Sequence, residues 1–313
     1  MEENTTNLQN TDPCQKKQTP KDFLIDVVRG AAIGVAFIIP GFSGGSIAAI
    51  LGIYERLIGA IADIFKNFKK SFFTLMPIAL GMVVGVVSLL FPLSYFLEKF
   101  PLPTVSLFVG LAIGGLPSIL DKTKGKIKYT NVIACLIPLI FALMLSFLPV
   151  GKDVNLFDIN FGGYLLLFII GLIGSSALVI PGISGSMLLL ILGYYNPILN
   201  MITEHLLAGR NVGKSILVLG ITALGICVGF VTISVIMKFL LKNYQRGTYF
   251  AIIGFIVGSI PTVFVSTAKE AGFSLSTLPS HPFHWVMCVV LLAVGFLGSY
   301  SLVRYARKHN TEE

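Results

Sequence analysis

Long apolar stretches recur along the chain from residue 22 to residue 303, with only short polar interruptions between them. In the first half they run at 23–39, 46–62, 72–97, 104–120 and 128–149; in the second, at 162–180, 187–203, 213–241, 248–267 and 283–303. A helix needs about 20 apolar residues, rising about 1.5 Å each, to cross about 30 Å of hydrocarbon. The pattern predicts an all-α polytopic membrane protein. The first two stretches of each half are too short to cross singly and are separated only by a Pro-Gly-x-Ser-Gly break. Each pair predicts a broken helical hairpin, re-entrant or made of two short spans, followed by three transmembrane helices. Residues 1–21 are polar and expected to be a disordered cytoplasmic tail; 22–150 and 156–305 are two membrane repeats, and 306–313 a second tail.

The halves repeat each other. Pro40-Gly41-Phe42-Ser43-Gly44-Gly45 returns 141 residues later as Pro181-Gly182-Ile183-Ser184-Gly185-Ser186, and Leu51-Gly52-Ile53-Tyr54 as Leu192-Gly193-Tyr194-Tyr195. At a shift of 144, Gly81 and Gly85 answer to Gly225 and Gly229, and Thr104, Gly110, Gly114 and Pro117 to Thr248, Gly254, Gly258 and Pro261. Apolar composition alone does not hold Gly, Pro, Ser, Thr and Tyr in register, so the chain is an internal duplication. A hairpin returns the chain to the side it entered, and three further crossings are an odd number. The two repeats therefore have opposite orientation. With the first tail inside, inner segments hold 17 Lys and Arg, and outer segments hold only Lys99, Lys152, Arg210, Lys214 and Lys269; Arg29 lies within the first stretch. By the positive-inside rule both termini are cytoplasmic. Inverted repeats with broken helices describe secondary transporters whose substrate sits near the midplane, at the repeat interface.

Composition narrows the picture further. With 55% hydrophobic and 12% charged residues the chain has no room for a soluble catalytic domain. The net charge of +8 resides in short loops rather than on one face, so it reads as a topology signal and no nucleic acid is expected as a partner. Cys14, Cys135, Cys227 and Cys288 lie far apart without a C-x-x-C pair, which argues against a disulfide framework or a zinc site.

The breaks carry the candidate chemistry. A Pro40-Gly41 or Pro181-Gly182 break at membrane depth leaves backbone groups unpaired, so it must be buried in protein or line a wet cavity. After each break, Ser43-Gly44-Gly45-Ser46 and Ser184-Gly185-Ser186 read as helix N-caps, whose free amides and positive dipole end suit an anion, phosphate above all. The plainer reading is that these small residues serve close helix packing. Arg29 is a candidate phosphate ligand and Glu55 a candidate protonatable switch for a coupling proton or cation. Each lies about 15 Å from its break at helical rise, so an Arg29–Glu55 ion pair across the hairpin is the competing structural reading. Neither charge is duplicated, since Ile170 and Asn196 occupy those places in the second repeat. Tyr54 and Tyr195 are substrate contacts or packing aromatics.

A Pro-Gly-x-Ser-Gly break followed by Leu-Gly-x-Tyr, present twice over a chain matching from about residue 22 to 305, resembles the PopT family of bacterial polyprenyl-phosphate transporters. The resemblance implies translocation of undecaprenyl phosphate across the cell membrane, from outer to inner leaflet, to recycle the carrier of cell-wall (peptidoglycan) synthesis. It also implies a lipid substrate among membrane lipids, and its motif covers Pro40 to Ser46, Gly52, Tyr54 and Glu55, and Pro181 to Ser186, Gly193 and Tyr195; no cofactor or metal is expected. The rival reading is a channel or exchanger for small inorganic anions, held by the same kind of helix ends. A remoter one is an intramembrane serine protease, from the duplicated G-x-S-G; but His205, His281, His284 and His309 all fall in loops or the tail, away from either serine.

Overall fold

The computed structural model describes residues 20–38, 43–149, 151–270 and 282–309. The expected breaking residues Pro40 and Gly41, most of the first tail and half of the second lie outside the described residues. Within them the secondary structure is helical throughout: α1 (Pro20–Ile38), α2 (Gly44–Ile50), α3 (Tyr54–Ala62), α4 (Phe68–Lys99), α5 (Pro101–Leu120), α6 (Tyr129–Phe147), α7 (Phe161–Val179), α8 (Gly185–Ile191), α9 (Tyr195–Asn200), α10 (Val212–Asn243), α11 (Gln245–Glu270) and α12 (Pro282–His309). A 3-10 turn, Asp121–Thr123, follows α5, and a π-helical turn, Met201–Leu207, extends α9. Among the described residues six helices, α4, α5, α7, α10, α11 and α12, are long and apolar enough to cross a membrane. This is a multi-pass membrane protein.

One expectation needs correction. The apolar stretches 46–62 and 187–203 read as single helices, but each is broken a second time, at Gly52 and at Gly193. Both glycines hold positive φ, 71° and 75°. The chain there closes a Schellman motif: Gly52 N–H donates to Ala49 O and Ile53 N–H to Ala48 O, as Gly193 N–H donates to Leu190 O and Tyr194 N–H to Leu189 O. The bend between α8 and the helix that follows is 108°. The Leu-Gly-x-Tyr motif is thus a helix stop, because only glycine enters the left-handed region without a Cβ penalty. It leaves α2 and α8 seven residues each, about 10 Å at helical rise and far short of a bilayer crossing.

Lipid supplies no hydrophobic drive between helices, so close backbone approach must do the work. Helix α1 packs on α4 and α7 on α10, while α5 packs on α12 and α11 on α6. The duplicated glycines make these contacts. A Cβ on Gly81 would lie 2.0 Å from the Val27 carbonyl oxygen, and one on Gly225 would lie 2.2 Å from that of Phe168; residue 168 is residue 27 shifted by 141. Gly110 meets Leu292 O and Gly254 meets Cys135 O, each at 2.1 Å. The last helix of each repeat therefore packs on the fifth helix of the other, tying the halves together.

The two hairpins differ in surroundings. Every residue from Ser43 to Ile50 is buried, and α2 and α3 reach α5, α7 and α10. Ile47, Ala48 and Ile50 join Val105, Val109 and Ala112 of α5 and Ile252 and Ile256 of α11 in the main core cluster. No residue of α8 or α9 is buried.

Candidate functional site

The last carbonyls of a helix have no intrahelical partner, and buried ones need a donor from elsewhere. At the end of α7 that donor comes from the first hairpin. Tyr54 Oη donates to Val179 O at 2.8 Å and Ser43 Oγ to Ala177 O at 3.5 Å. Gly45 lies against the same segment, where a Cβ would be 3.3 Å from Val179 O and 3.4 Å from Pro181. The structure thus brings the first hairpin directly against the second break.

The two serine caps are not alike. Ser184 caps α8: its Oγ accepts from Met187 N–H at 3.4 Å and lies 3.1 Å from Ser186 Oγ, and Ser186 is exposed. Gly182 holds φ 87°, with Phe255 backbone 2.5 Å from where a Cβ would be, so this break is wedged against α11. Ser43 makes no capping bond, because its hydroxyl is turned to α7. Ser46 and Gly44 are buried, Gly185 is half-buried, and Pro181 is buried beside the break. Tyr54 is buried with its hydroxyl committed to Val179 O, which makes it a tie between the repeats; Tyr195 is half-buried.

The expected pairing of Arg29 with Glu55 is not formed. The Schellman turn at Gly52 redirects the chain, so distance counted along one continuous helix does not apply. Glu55, on the first turn of α3, accepts from Tyr249 Oη and from Gln245 Nε2 at 3.2 Å on α11, and lies 3.6 Å from Lys122 Nζ. Arg29 instead pairs with Asp26 at 3.4 Å, and the same carboxylate oxygen also receives Arg56. Asp63, at the end of α3, pairs with Lys238 of α10. Sequence reasoning proposed no pairing for Asp26, Arg56, Asp63 or Lys238. The i,i+3 spacing of Asp26 and Arg29 on one helix was the available signal; nothing local marks Asp63 and Lys238, which are 175 residues apart.

Among the described residues neither break serine hydrogen-bonds a histidine. The loop placement expected of the histidines needs correction: His205 lies on the π-helical turn, where it packs edge-on against Phe157 at 4.5 Å, and His284 lies on the first turn of α12, 6.4 Å from Phe100. A cavity of about 270 Å³ between residues 153–157 and the π-helical turn is lined by Asp153, Asn155, Asn200, Glu204 and His205. Its carboxylates suit a phosphate poorly.

The match of the chain to known proteins points the same way as its broken hairpins. A model of the undecaprenyl phosphate translocase-like family matches residues 33–276. A polyprenyl-phosphate transporter of Staphylococcus aureus (strain NCTC 8325 / PS 47) is 31% identical over 288 residues, covering 90% of this chain and 96% of that protein. A polyprenyl-phosphate transporter of Vibrio cholerae serotype O1 is 27% identical over 321 residues, covering 92% of this chain and 98% of that one. No solved structure matches. A transmembrane duplication whose first hairpin meets the second break at one interface, matched over most of its length by that family model, belongs to the undecaprenyl phosphate translocase-like family.

Proposed function

We propose that the protein carries a polyprenyl phosphate, undecaprenyl phosphate in cell-wall recycling, from the outer to the inner leaflet of the bacterial cytoplasmic membrane. The observation that carries this reading is the meeting of the two hairpins in unequal states. The first hairpin is packed shut against α5, α7 and α10, while the second stands open with Ser186 exposed. In the proposed topology the repeats are inverted, the first hairpin enters from the cytoplasm and the second from outside. This arrangement is then sealed inward and open outward. The matched packing of α1 on α4 and α7 on α10 supports a second state in which the hairpins exchange roles.

The phosphate enters beside Ser184 and Ser186, where hydroxyls and the first-turn amides of Gly185 and Ser186 supply donors. The isoprenoid tail stays in lipid. Loosening of the first hairpin then offers Gly44, Gly45, Ser46 and, toward the cytoplasm, Arg29. Inward movement of an anion is opposed by a negative-inside potential at about 2.3 kcal/mol per charge per 100 mV. We therefore assign a coupling proton or cation to the cycle, with Glu55 as its carboxylate, since that group joins α3 to α11 across the repeats.

The test is leaflet exchange of a fluorescent short-chain polyprenyl phosphate in proteoliposomes. Fast exchange by the wild type, slowed in Ser184→Ala and Ser186→Ala, supports the reading. Movement of chloride or inorganic phosphate without lipid would sink it in favour of an inorganic anion exchanger.

A further inference from the structure

Charge inside a membrane protein is costly and calls for a reason. Asp26 on α1 is 1% exposed, yet one of its oxygens, Oδ1, accepts from both Arg29 Nη1 and Arg56 Nη2. One cation would neutralise it; the second leaves the cluster with an excess positive charge. Each arginine side chain keeps about a third of its surface open, at 37% and 36%, while Arg56 Nε is buried without a partner. The packing of α1 on α4 does not need these charges. In the second repeat Leu167, Ile170 and Pro197 occupy the same three places, and α7 still packs on α10 as α1 packs on α4. Beside the cluster on α1, Leu24, Ile25 and Val28 are exposed apolar residues facing outward from the bundle.

We propose that Arg29 and Arg56 form a receptor for a phosphoryl monoester anion on the release side of the pathway, with Asp26 as its built-in competitor. The proposal rests on the transporter reading above. Two planar guanidiniums present forked donors that match phosphate oxygens, and a phosphomonoester carries about −1.5 to −2 charge, enough to neutralise both. With the site empty, the Asp26 carboxylate holds the two side chains together. An arriving phosphate takes over their donors, and the returning carboxylate displaces it again, so the site captures without trapping. The apolar face of Leu24, Ile25 and Val28 lets a lipid-borne headgroup reach the guanidiniums while its tail remains in hydrocarbon. Free phosphate offers the same headgroup chemistry without the tail.

The experiment measures binding of farnesyl phosphate, farnesol and inorganic phosphate to the full-length protein in detergent, for the wild type, Arg56→Gln and Asp26→Asn. Binding of farnesyl phosphate but not farnesol is expected, weakened about tenfold or more in Arg56→Gln, the scale of one lost charge-assisted pair. Asp26→Asn should bind several-fold tighter, because the competitor's charge is gone. A merely structural ion cluster predicts the reverse, so weaker or unchanged binding by a monodisperse Asp26→Asn overturns the proposal. If that variant does not fold, unchanged affinity in Arg56→Gln overturns it alone. Displacement of farnesyl phosphate by inorganic phosphate, lost in Arg56→Gln, supports the receptor and extends it to free phosphate; no displacement supports it for the lipid headgroup. Leaflet exchange separates the two readings. Wild-type exchange with binding unaffected by Arg56→Gln removes the receptor and leaves transport standing, whereas phosphate binding at the arginine pair without wild-type exchange does the opposite.

Discussion

Removing the Tyr54 hydroxyl should unlatch the first hairpin. In Tyr54→Phe the ring still fills its buried place, but the Val179 carbonyl at the end of α7 loses the donor that stood 2.8 Å away. Leaving a buried acceptor unsatisfied costs about 1–3 kcal/mol. If that cost falls only on the sealed arrangement, the population of the alternative rises about 5- to 150-fold, the same energy expressed as an equilibrium. Single thiols report it in a background with the four native cysteines replaced. Ser186→Cys samples the open hairpin and Ser46→Cys the buried one. A membrane-impermeant thiol reagent should modify position 186 well ahead of position 46, and Tyr54→Phe should raise the rate at 46 by a factor within that range while lowering it at 186. Equal rates at the two positions in the parent, or rates at both unmoved by Tyr54→Phe in a monodisperse protein, would refute the reasoning.

Further outcomes follow from the same geometry. Gly52→Ala should lower stability in detergent by about 1–2 kcal/mol, the left-handed backbone cost alone, because a Cβ there meets nothing within 4 Å. Gly193→Ala at the matched place must also displace the Lys152 carbonyl, 2.1 Å away, so its thermal midpoint should fall further; equal midpoints would show that the 151–152 segment moves aside without cost. Gly81→Ala and Gly225→Ala should be comparably damaging, about 1–3 kcal/mol each by overpacking, since each drives a methyl into the backbone of the helix it packs on. The Asp63–Lys238 pair is partly exposed, at 30% and 42% of the two side chains, so Lys238→Met should cost only about 0.2–1 kcal/mol of stability; a larger fall in melting temperature would show the pair to be better shielded than its exposure implies.

Much of this molecule is legible in one dimension. Hydropathy marks the spans because lipid forbids unpaired backbone and admits only long apolar helices. The duplication is visible because glycines at contacts such as Gly81 and Gly225 are needed twice for the same close approach. The Pro-Gly breaks announce themselves by composition. The second break is less obvious, since Gly52 inside an apolar run looks like a tolerated small residue until its φ of 71° is known. Glu55 and Arg29 stood out as intramembrane charges, but their partners did not. Helical counting placed them at equal depth, whereas the turn at Gly52 sends Glu55 toward Tyr249 on α11 and leaves Arg29 with Asp26 and Arg56.

The sequence by itself therefore determined a duplicated helical membrane protein with two matched hairpins and their family. Which hairpin is buried was decided only in three dimensions. The motifs of the two hairpins are nearly the same, and a matched pair of elements carries no local mark of which one packs. That choice follows from contacts between residues more than a hundred positions apart, such as Tyr54 with Val179 and Asp63 with Lys238. It depends on how α3 meets α10 and α11, and no local propensity encodes such an approach.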